Sequence, residues 1–154
     1  MNIATLDTNV IRTDVKTKLS KAILGGFIGT IVFSMMGKFV APIMIGQPMD
    51  VAALLAPALG GSYIAGMIAH FVTGSIAYPI GYLLTIFHWV PGPAAIRGII
   101  FGICAYLFAM IVVMPTLGHG FFFGSAPKAM VALVAHIVFG AILGWVTGKP
   151  SKAL

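Results

Sequence analysis

The segment Ala69-His70-Phe71-Val72-Thr73-Gly74-Ser75-Ile76 places an ionisable histidine inside a long apolar run. A similar segment returns later in the chain as Ala135-His136-Ile137-Val138-Phe139-Gly140-Ala141-Ile142. Each histidine is followed four residues later by a glycine. Ionisable side chains at membrane depth are costly and mark functional sites, so these two histidines are the first candidates for such a site.

The composition of the chain is that of a membrane protein. Of its 154 residues, 60% are hydrophobic and 8% are charged, and the mean hydropathy is +1.08. That leaves too little polar surface to cover a water-soluble globule. The formal charge of +6 does not indicate a nucleic-acid-binding protein, because the basic residues are scattered and mostly flank the apolar runs.

Four apolar segments are predicted to cross the membrane as helices. Each exceeds the roughly 20 residues that a helix needs to span the hydrocarbon core, and a helix satisfies its own backbone hydrogen bonds in lipid. The second span is expected to bend at Pro79. The sequence therefore predicts an all-α, polytopic protein with spans at 21–43, 62–89, 94–114 and 127–147.

The basic residues predict the orientation of these spans. Residues 1–20 form a polar, basic tail, residues 21–148 the bundle, and residues 149–154 a short C-terminal tail. One side of the membrane carries seven basic residues and the other carries only Lys38 and Lys128. The positive-inside rule then places both termini in the cytoplasm and connections 44–61 and 115–126 outside. The seven are Arg12, Lys16, Lys18, Lys21, Arg97, Lys149 and Lys152.

The first outer connection is predicted to contain a short helix. Asp50 stands in a position typical of an N-cap, directly before the apolar segment 51–57. That segment is too short to span the membrane and ends at Pro57. We therefore expect a helix that lies at the interface or dips into it.

The chain also has the pattern of a tandem duplication of a helical hairpin. Repeat one covers 21–89 and repeat two covers 94–148. Five residues of the first span recur in the third at an offset of 73, and the histidine segments recur at an offset of 66. Two hairpins in the same orientation are related by an axis along the membrane normal, so His70 and His136 are expected at the same depth.

Small residues surround both histidines at helical spacing. Gly66 and Gly74 lie four residues on either side of His70, and Ala132 and Gly140 do the same for His136. Columns of small residues mark helix faces that approach a neighbouring helix closely. Both histidines are therefore predicted to face the interior of the bundle.

Several motifs resemble those of an uncharacterised family of bacterial four-helix inner-membrane proteins. The resemblance covers about residues 20–148. It implies a four-helix architecture in a bacterial inner membrane, and it brings no reaction with it. The motifs are Pro91-Gly92-Pro93, Arg97-Gly98-Ile99-Ile100-Phe101-Gly102, Met114-Pro115-Thr116-Leu117-Gly118-His119-Gly120 and the segment from His136 to Gly144.

The residue types in the spans do not predict an enzyme that acts alone. The chain has no glutamate, and its three aspartates, Asp7, Asp14 and Asp50, lie outside the predicted spans. Paired carboxylates, a carboxylate-oriented triad and an acidic proton relay are therefore excluded within the membrane. The sequence also contains no nucleotide-binding motif.

Three interpretations of His70 and His136 remain open. The first is a structural interhelical hydrogen bond. The second is a b-type haem ligated by both imidazoles, and the third is a copper ion shared with methionines. Apart from the initiator, all methionines lie in the outer half or its connections. The candidate metal ligands are His70, His136, His119, Met67, Met110 and Met114.

The sequence thus predicts a small accessory subunit of a larger respiratory or other redox complex in the membrane. Its expected partners are the lipid bilayer and other membrane subunits, with haem b as a possible cofactor. The alternative function is binding or transport of copper through the outer methionines and histidines.

Overall fold

The computed structural model describes residues 3–150, together with the side chains of residues 12, 13 and 15–150. Every regular element in that range is helical. Four helices are long and apolar enough to cross a membrane, which confirms the predicted all-α membrane fold. We number them as span 1, Val15–Ile45; span 2, Tyr63–Trp89; span 3, Ala94–Thr116; and span 4, Ala126–Thr147.

The spans are built from α-helical and π-helical pieces. The α-helical pieces are Ile3–Met35, Ala41–Ile45, Val51–Leu55, Tyr63–Val72, Tyr78–Leu84, Ile86–Trp89, Ala94–Phe108, Met114–Thr116 and Ala126–Thr147. The π-helical pieces are Met36–Val40, Thr73–Ala77 and Ala109–Val113, and the 3₁₀ turns are Ala56–Leu59 and Phe121–Gly124.

The N-terminal segment that the sequence predicts as a polar tail is helical. The helix that forms span 1 begins at Ile3 and continues without interruption to Met35. Residues 1–20 contain no glycine or proline, so the backbone of this segment has no residue that would stop a helix. The predicted tail at 149–154, with Lys152, lies mostly outside the described residues.

The order of packing places spans 2 and 4 opposite each other. Span 1 packs against spans 2 and 4, and span 4 packs against spans 1 and 3. We call the side that carries connections 46–62 and 117–125 the loop side. The opposite side, with connection 90–93 and both ends of the described chain, is the terminal side.

Glycines bring spans 3 and 4 into backbone contact. A Cβ atom on Gly98 would overlap the carbonyl oxygen of Gly140, and one on Gly144 would overlap that of Ala94. Gly102 packs in the same way against the backbone of His136. The close-packing face predicted around His136 in span 4 is thus confirmed, and the contact leaves no space between these helices.

Each π-helical segment ends two residues before a proline, namely Pro42, Pro79 or Pro115. A proline has no backbone N–H, and its ring clashes with the carbonyl of the residue four positions back. The wider π turn accommodates the ring while the helix continues. The π-helical segments of spans 1 and 3 are 73 residues apart in the chain, which is also the offset of the five residues that recur between these two spans. The tandem duplication itself stays a prediction.

The proline in span 1 has a direct effect on the loop-side connection. Ala41 donates its N–H to the carbonyl of Met36, five residues back. Pro42 cannot extend this pattern to Gly37, because it has no N–H. The Gly37 carbonyl instead accepts a hydrogen bond of 2.9 Å from the N–H of Met49. The connection is thereby attached to span 1.

The predicted short helix is present at Val51–Leu55. Its N-cap is Asp50, whose Oδ1 accepts hydrogen bonds from the N–H groups of Ala52 and Ala53 at 2.9 and 3.3 Å. The Tyr63 hydroxyl donates to Asp50 Oδ2 at 2.8 Å. Gly66 has no room for a Cβ because the Ala52 carbonyl packs against it. This helix is therefore fixed against span 2.

Candidate functional site

The bundle encloses a cavity of about 300 Å³ in its loop-side half, which we call the central cavity. All four spans and both loop-side connections contribute to its wall. His70 and His136 both line it, although 66 residues separate them in the chain. The predicted inward orientation of the two histidines is thus confirmed.

The ring of Phe33, from span 1, contacts both imidazoles. Its centroid lies 4.9 Å from that of His136, with the rings nearly perpendicular, and 5.7 Å from that of His70. One phenyl ring can meet both only if the two histidines lie at similar depth, as the sequence predicts. The edge-to-face contact with His136 is typical of stable aromatic pairs.

The ring of His136 is fixed by a hydrogen bond within its own helix. Its Nδ1 lies 2.7 Å from the carbonyl oxygen of Ala132. Since a carbonyl oxygen can only accept, Nδ1 carries the proton and donates it. A neutral imidazole then has its second nitrogen, Nε2, free to accept a hydrogen bond or to ligate a metal.

The ring of His70 is fixed by a hydrogen bond to span 1. Its Nε2 lies 3.0 Å from the hydroxyl oxygen of Ser34. Ser34 donates its single hydroxyl proton to the carbonyl of Thr30 at 2.9 Å. His70 Nε2 is therefore the donor in the first bond, and His70 Nδ1 is left as an acceptor.

Both free ring nitrogens are accessible from the cavity. Two buried oxygens in span 2, those of the Ser75 and Tyr82 hydroxyls, are sealed from accessible space and have no hydrogen-bond partner. The free nitrogens of His70 and His136 are not among such sealed atoms. Each of these nitrogens therefore retains accessible surface.

Aromatic and aliphatic side chains border the central cavity at both ends. On the terminal side, Tyr78 and Phe139 lie in its wall with their ring centroids 5.9 Å apart. On the loop side the wall consists of residues from the two connections, among them Leu54, Leu55 and Phe123.

The cavity does reach the lipid-facing surface between spans 2 and 3. On the terminal side these spans are in contact, because the rings of Tyr78 and Tyr82 both pack against the ring of Phe101. The ring centroids lie 5.9 and 5.6 Å apart. Closer to the loop side, Thr73 of span 2 and Phe108 of span 3 line the cavity and are also exposed. We call this opening, bordered by Thr73 and Phe108, the lateral opening.

The structure brings together four of the six predicted metal ligands. Met110 and Met114 line the central cavity together with His70 and His136, and Met49 joins them. Met67 and His119 do not line it. Among the described residues, no three histidine, cysteine, aspartate or glutamate side chains form a group that could hold a metal ion.

His119 lies instead in a second pocket of about 390 Å³, which we call the loop-side pocket. Asp50 and Lys128 also line this pocket. The Nε2 atom of His119 lies 3.4 Å from the carbonyl oxygen of Leu54. Leu54 and Phe123 line both the loop-side pocket and the central cavity, so they form part of the wall between them.

Sequence reasoning missed the contribution of span 1 to the site. Phe33, Ser34 and Thr30 carry no motif that distinguishes them from their neighbours, and their role depends on how span 1 rotates against spans 2 and 4. The hydrogen-bond acceptors found are Ser34 Oγ and the backbone carbonyl of Ala132.

Comparison with known proteins identifies the family of the chain. Residues 16–153 match the model of a family described as a family of unknown function, DUF6789. The chain belongs to this family. No curated protein and no solved structure matches it. The predicted resemblance to an uncharacterised four-helix membrane family is confirmed, and membership in DUF6789 assigns no ligand to the central cavity.

Proposed function

We propose that this DUF6789 protein is a small accessory subunit of a larger membrane complex and that it holds a ligand in its central cavity. One observation carries the proposal. Two distant histidines line a single cavity, and hydrogen bonds orient each ring so that one nitrogen is free. Ligand pockets are typically apolar with a few such convergent polar groups.

The chemistry of the cavity favours binding over catalysis. No aspartate lines it, and the chain contains no glutamate. An imidazole could exchange a proton with a ligand, but no carboxylate is present in the wall to orient or balance it. The protein therefore supplies a place to hold a molecule, and a reaction would need groups from a partner.

Lipid-facing surfaces of the spans are available for partner subunits. On span 2, Ile64, Ile68 and Val72 follow one another at four-residue spacing and are 72%, 60% and 49% exposed. On span 3, Ile103 and Leu107 are exposed at the same spacing. Such stripes face either lipid or the helices of another subunit.

Native purification tests the accessory role. The full chain is tagged and isolated from gently solubilised membranes, and we expect stoichiometric recovery of larger subunits with it. Ile68→Trp and Leu107→Trp alter the two lipid-facing stripes separately, and loss of the partners in one variant only would locate the interface. Recovery of the chain alone under conditions that preserve other complexes would overturn this role.

A b-type haem is one ligand that the paired histidines suggest. His70 and His136 would hold its iron, and the haem would supply one-electron redox chemistry. The Phe33 ring fills space next to both imidazoles, so a macrocycle ligated by both would have to displace it. A reduced-minus-oxidised b-type spectrum that is lost in His70→Ala and in His136→Ala would support haem; a colourless preparation would exclude it.

Copper handling is the alternative function. The observation in its favour is that Met110 and Met114 line the central cavity together with both histidines, since thioethers and imidazoles suit Cu(I). His119 in the adjoining loop-side pocket would then be an entry site. Copper loading of the purified protein tests this, with Met67→Leu as a matched control for Met110→Leu, because Met67 lies outside the cavity wall.

We also propose that the protein lies in a bacterial inner membrane with both termini in the cytoplasm. The excess of lysine and arginine at the terminal side supports this orientation. Cysteines placed at the exposed positions Gln47 and Lys149, in a Cys104→Ala background, report the two sides. Labelling of the Gln47→Cys variant alone by a membrane-impermeant reagent is expected; labelling of the Lys149→Cys variant alone would reverse the orientation.

A further inference from the structure

We propose that the ligand of the central cavity is a lipid-soluble quinol, an aromatic ring with two hydroxyl groups and an apolar tail, which enters from the bilayer through the lateral opening. This inference rests on the proposed function, because it names the molecule that the cavity holds. It follows from three properties of the cavity wall: its charge, its hydrogen-bonding groups and its opening.

The charge of the wall favours a neutral ligand. Asp50, the one acidic side chain among those that the structure describes, lines the loop-side pocket and not the central cavity. A cation in the cavity would be buried in an apolar site without a counter-charge, which is strongly unfavourable. No lysine or arginine lines the cavity either, so an anion would be equally uncompensated.

The two imidazoles of the wall require a ligand that donates, while the hydroxyls of Thr73 and Tyr78, which also line the cavity, can either donate or accept. His136 uses its N–H on Ala132 and His70 uses its N–H on Ser34, so both free ring nitrogens are acceptors. The hydroxyl of Thr30 is also spent as a donor, on the carbonyl of Gly26 at 2.7 Å. A quinol offers two O–H donors, whereas the oxygens of the corresponding quinone can only accept.

The shape of the wall suits an aromatic ring with a tail. Phe33, Tyr78, Phe108 and Phe139 present aromatic faces or edges to the cavity, where a further ring packs favourably. A volume of about 300 Å³ is at the lower end of ligand pockets and is suited to a ring without its tail. The exposed residues Thr73 and Phe108 show where a tail can pass into lipid.

The test measures binding to the full chain in lipid nanodiscs. The probes are a decyl-substituted benzoquinol, its quinone and its dimethyl ether, which keeps the ring and tail of the quinol without the donors. We expect the quinol to bind at least tenfold more tightly than either other probe, since each lost hydrogen bond at a buried acceptor costs about tenfold. Equal or tighter binding of the quinone would overturn the proposal.

Variants identify the site. His70→Ala and His136→Ala are each expected to weaken quinol binding about tenfold while quinone binding changes little. His119→Ala is the matched control, because this histidine lies in the loop-side pocket, and its quinol affinity should equal that of the wild type. Circular dichroism and size-exclusion profiles establish that each variant is folded, and a folded His136→Ala variant with wild-type quinol affinity would contradict the assignment.

Photolabelling tests the route of entry. A quinol with a photoreactive group on the first carbons of its tail should label peptides from spans 2 and 3 around Thr73 and Phe108, and excess unlabelled quinol should suppress that labelling. Uniform labelling of all four spans would overturn entry through the lateral opening.

The outcomes also separate this inference from the proposed function. If haem or Cu(I) binds and depends on both histidines while the quinol does not, the cavity is a ligand site and the quinol assignment is wrong. If none of the three binds to the folded protein, the cavity has no such role. Recovery with larger subunits tests the accessory role independently of either result.

Discussion

Span 3 has two neighbours, and it meets them in opposite ways. Against span 4 it presents Gly98 and Gly102, and the two backbones touch with no space between them. Against span 2 it presents Phe101 on the terminal side, and towards the loop side the contact gives way to the central cavity and its lateral opening. One helix thus takes part in both a sealed interface and an open one.

The difference comes from residue size and from backbone form. Glycines in a column let two helices approach until carbonyl and Cα atoms are in contact. The open interface has π-helical segments on both sides, Thr73–Ala77 and Ala109–Val113, each before a proline. A π turn displaces the helix face from its regular position. The bundle therefore gains stability from the sealed interface and has room for a ligand at the open one.

The strongest test of the sealed interface is Gly98→Ala. The new Cβ would overlap the Gly140 carbonyl, and a backbone atom cannot move aside as a flexible side chain can. We expect a loss of about 2 kcal/mol or more in the free energy of unfolding, in the range of overpacked cores. Denaturation in mixed micelles measures it.

Gly81→Ala is the matched control on the open side. There a Cβ would lie 3.6 Å from Phe101 Cζ, an ordinary contact, and alanine favours a helix by about 1 kcal/mol over glycine. Its stability should be equal to or higher than that of the wild type. Equal losses in both variants would show that the sealed interface contributes nothing special.

The sealed interface could be predicted from the sequence, because it depends on a regular period. The spacing of Gly98, Gly102, Gly140 and Gly144 places them on helix faces whatever the rest of the bundle does. The boundaries of spans 2, 3 and 4 were also predicted to within two residues. Long apolar runs with clear ends leave little choice in a membrane.

The open interface could be predicted only in part. The sequence indicated that His70 and His136 face inwards, but it could not supply the rotation of span 1, which brings Phe33 and Ser34 to them. Pro79 marked an irregularity without showing that the helix would widen into a π turn. Met67 and His119 do not line the cavity with the other candidate ligands, because depth in the membrane does not give the direction in which a side chain points.

A smaller effect is expected from Pro42→Ala, which tests how the proline shapes the loop-side end of the cavity. The new N–H at position 42 can bond to Gly37 and compete with Met49 for its carbonyl. We expect hydrogen exchange at the Met49 amide to rise about fivefold, which corresponds to about 1 kcal/mol, with little change in global stability. Mass spectrometry of exchanged peptides measures it.

Pro127→Ala is the control for this experiment. Pro127 lies in the first turn of span 4, where the N–H groups have no partner within the helix, so restoring one takes no carbonyl from another segment. Exchange at Met49 should match that of the wild type in this variant. If Pro42→Ala also leaves that exchange unchanged, the π turn does not hold the connection.

The smallest effect concerns two serines that differ only in their partners. Ser34 links span 1 to His70, and Ser34→Ala removes that hydrogen bond. Interhelical hydrogen bonds in membranes contribute about 0.6 kcal/mol on average, so we expect a destabilisation of that order.

Ser75 lies in the π segment of span 2, and its buried hydroxyl has no partner. Removing an unpaired buried hydroxyl costs nothing and relieves desolvation, so Ser75→Ala should leave the free energy of unfolding unchanged or raise it. A loss of stability in Ser34→Ala without a loss in Ser75→Ala, measured in one micelle assay, would support the orientation of His70 by Ser34, which the acceptor role of its Nδ1 requires. Identical changes in the free energy of unfolding would contradict that orientation. The quinol proposal would then lose one of the two acceptors that it needs.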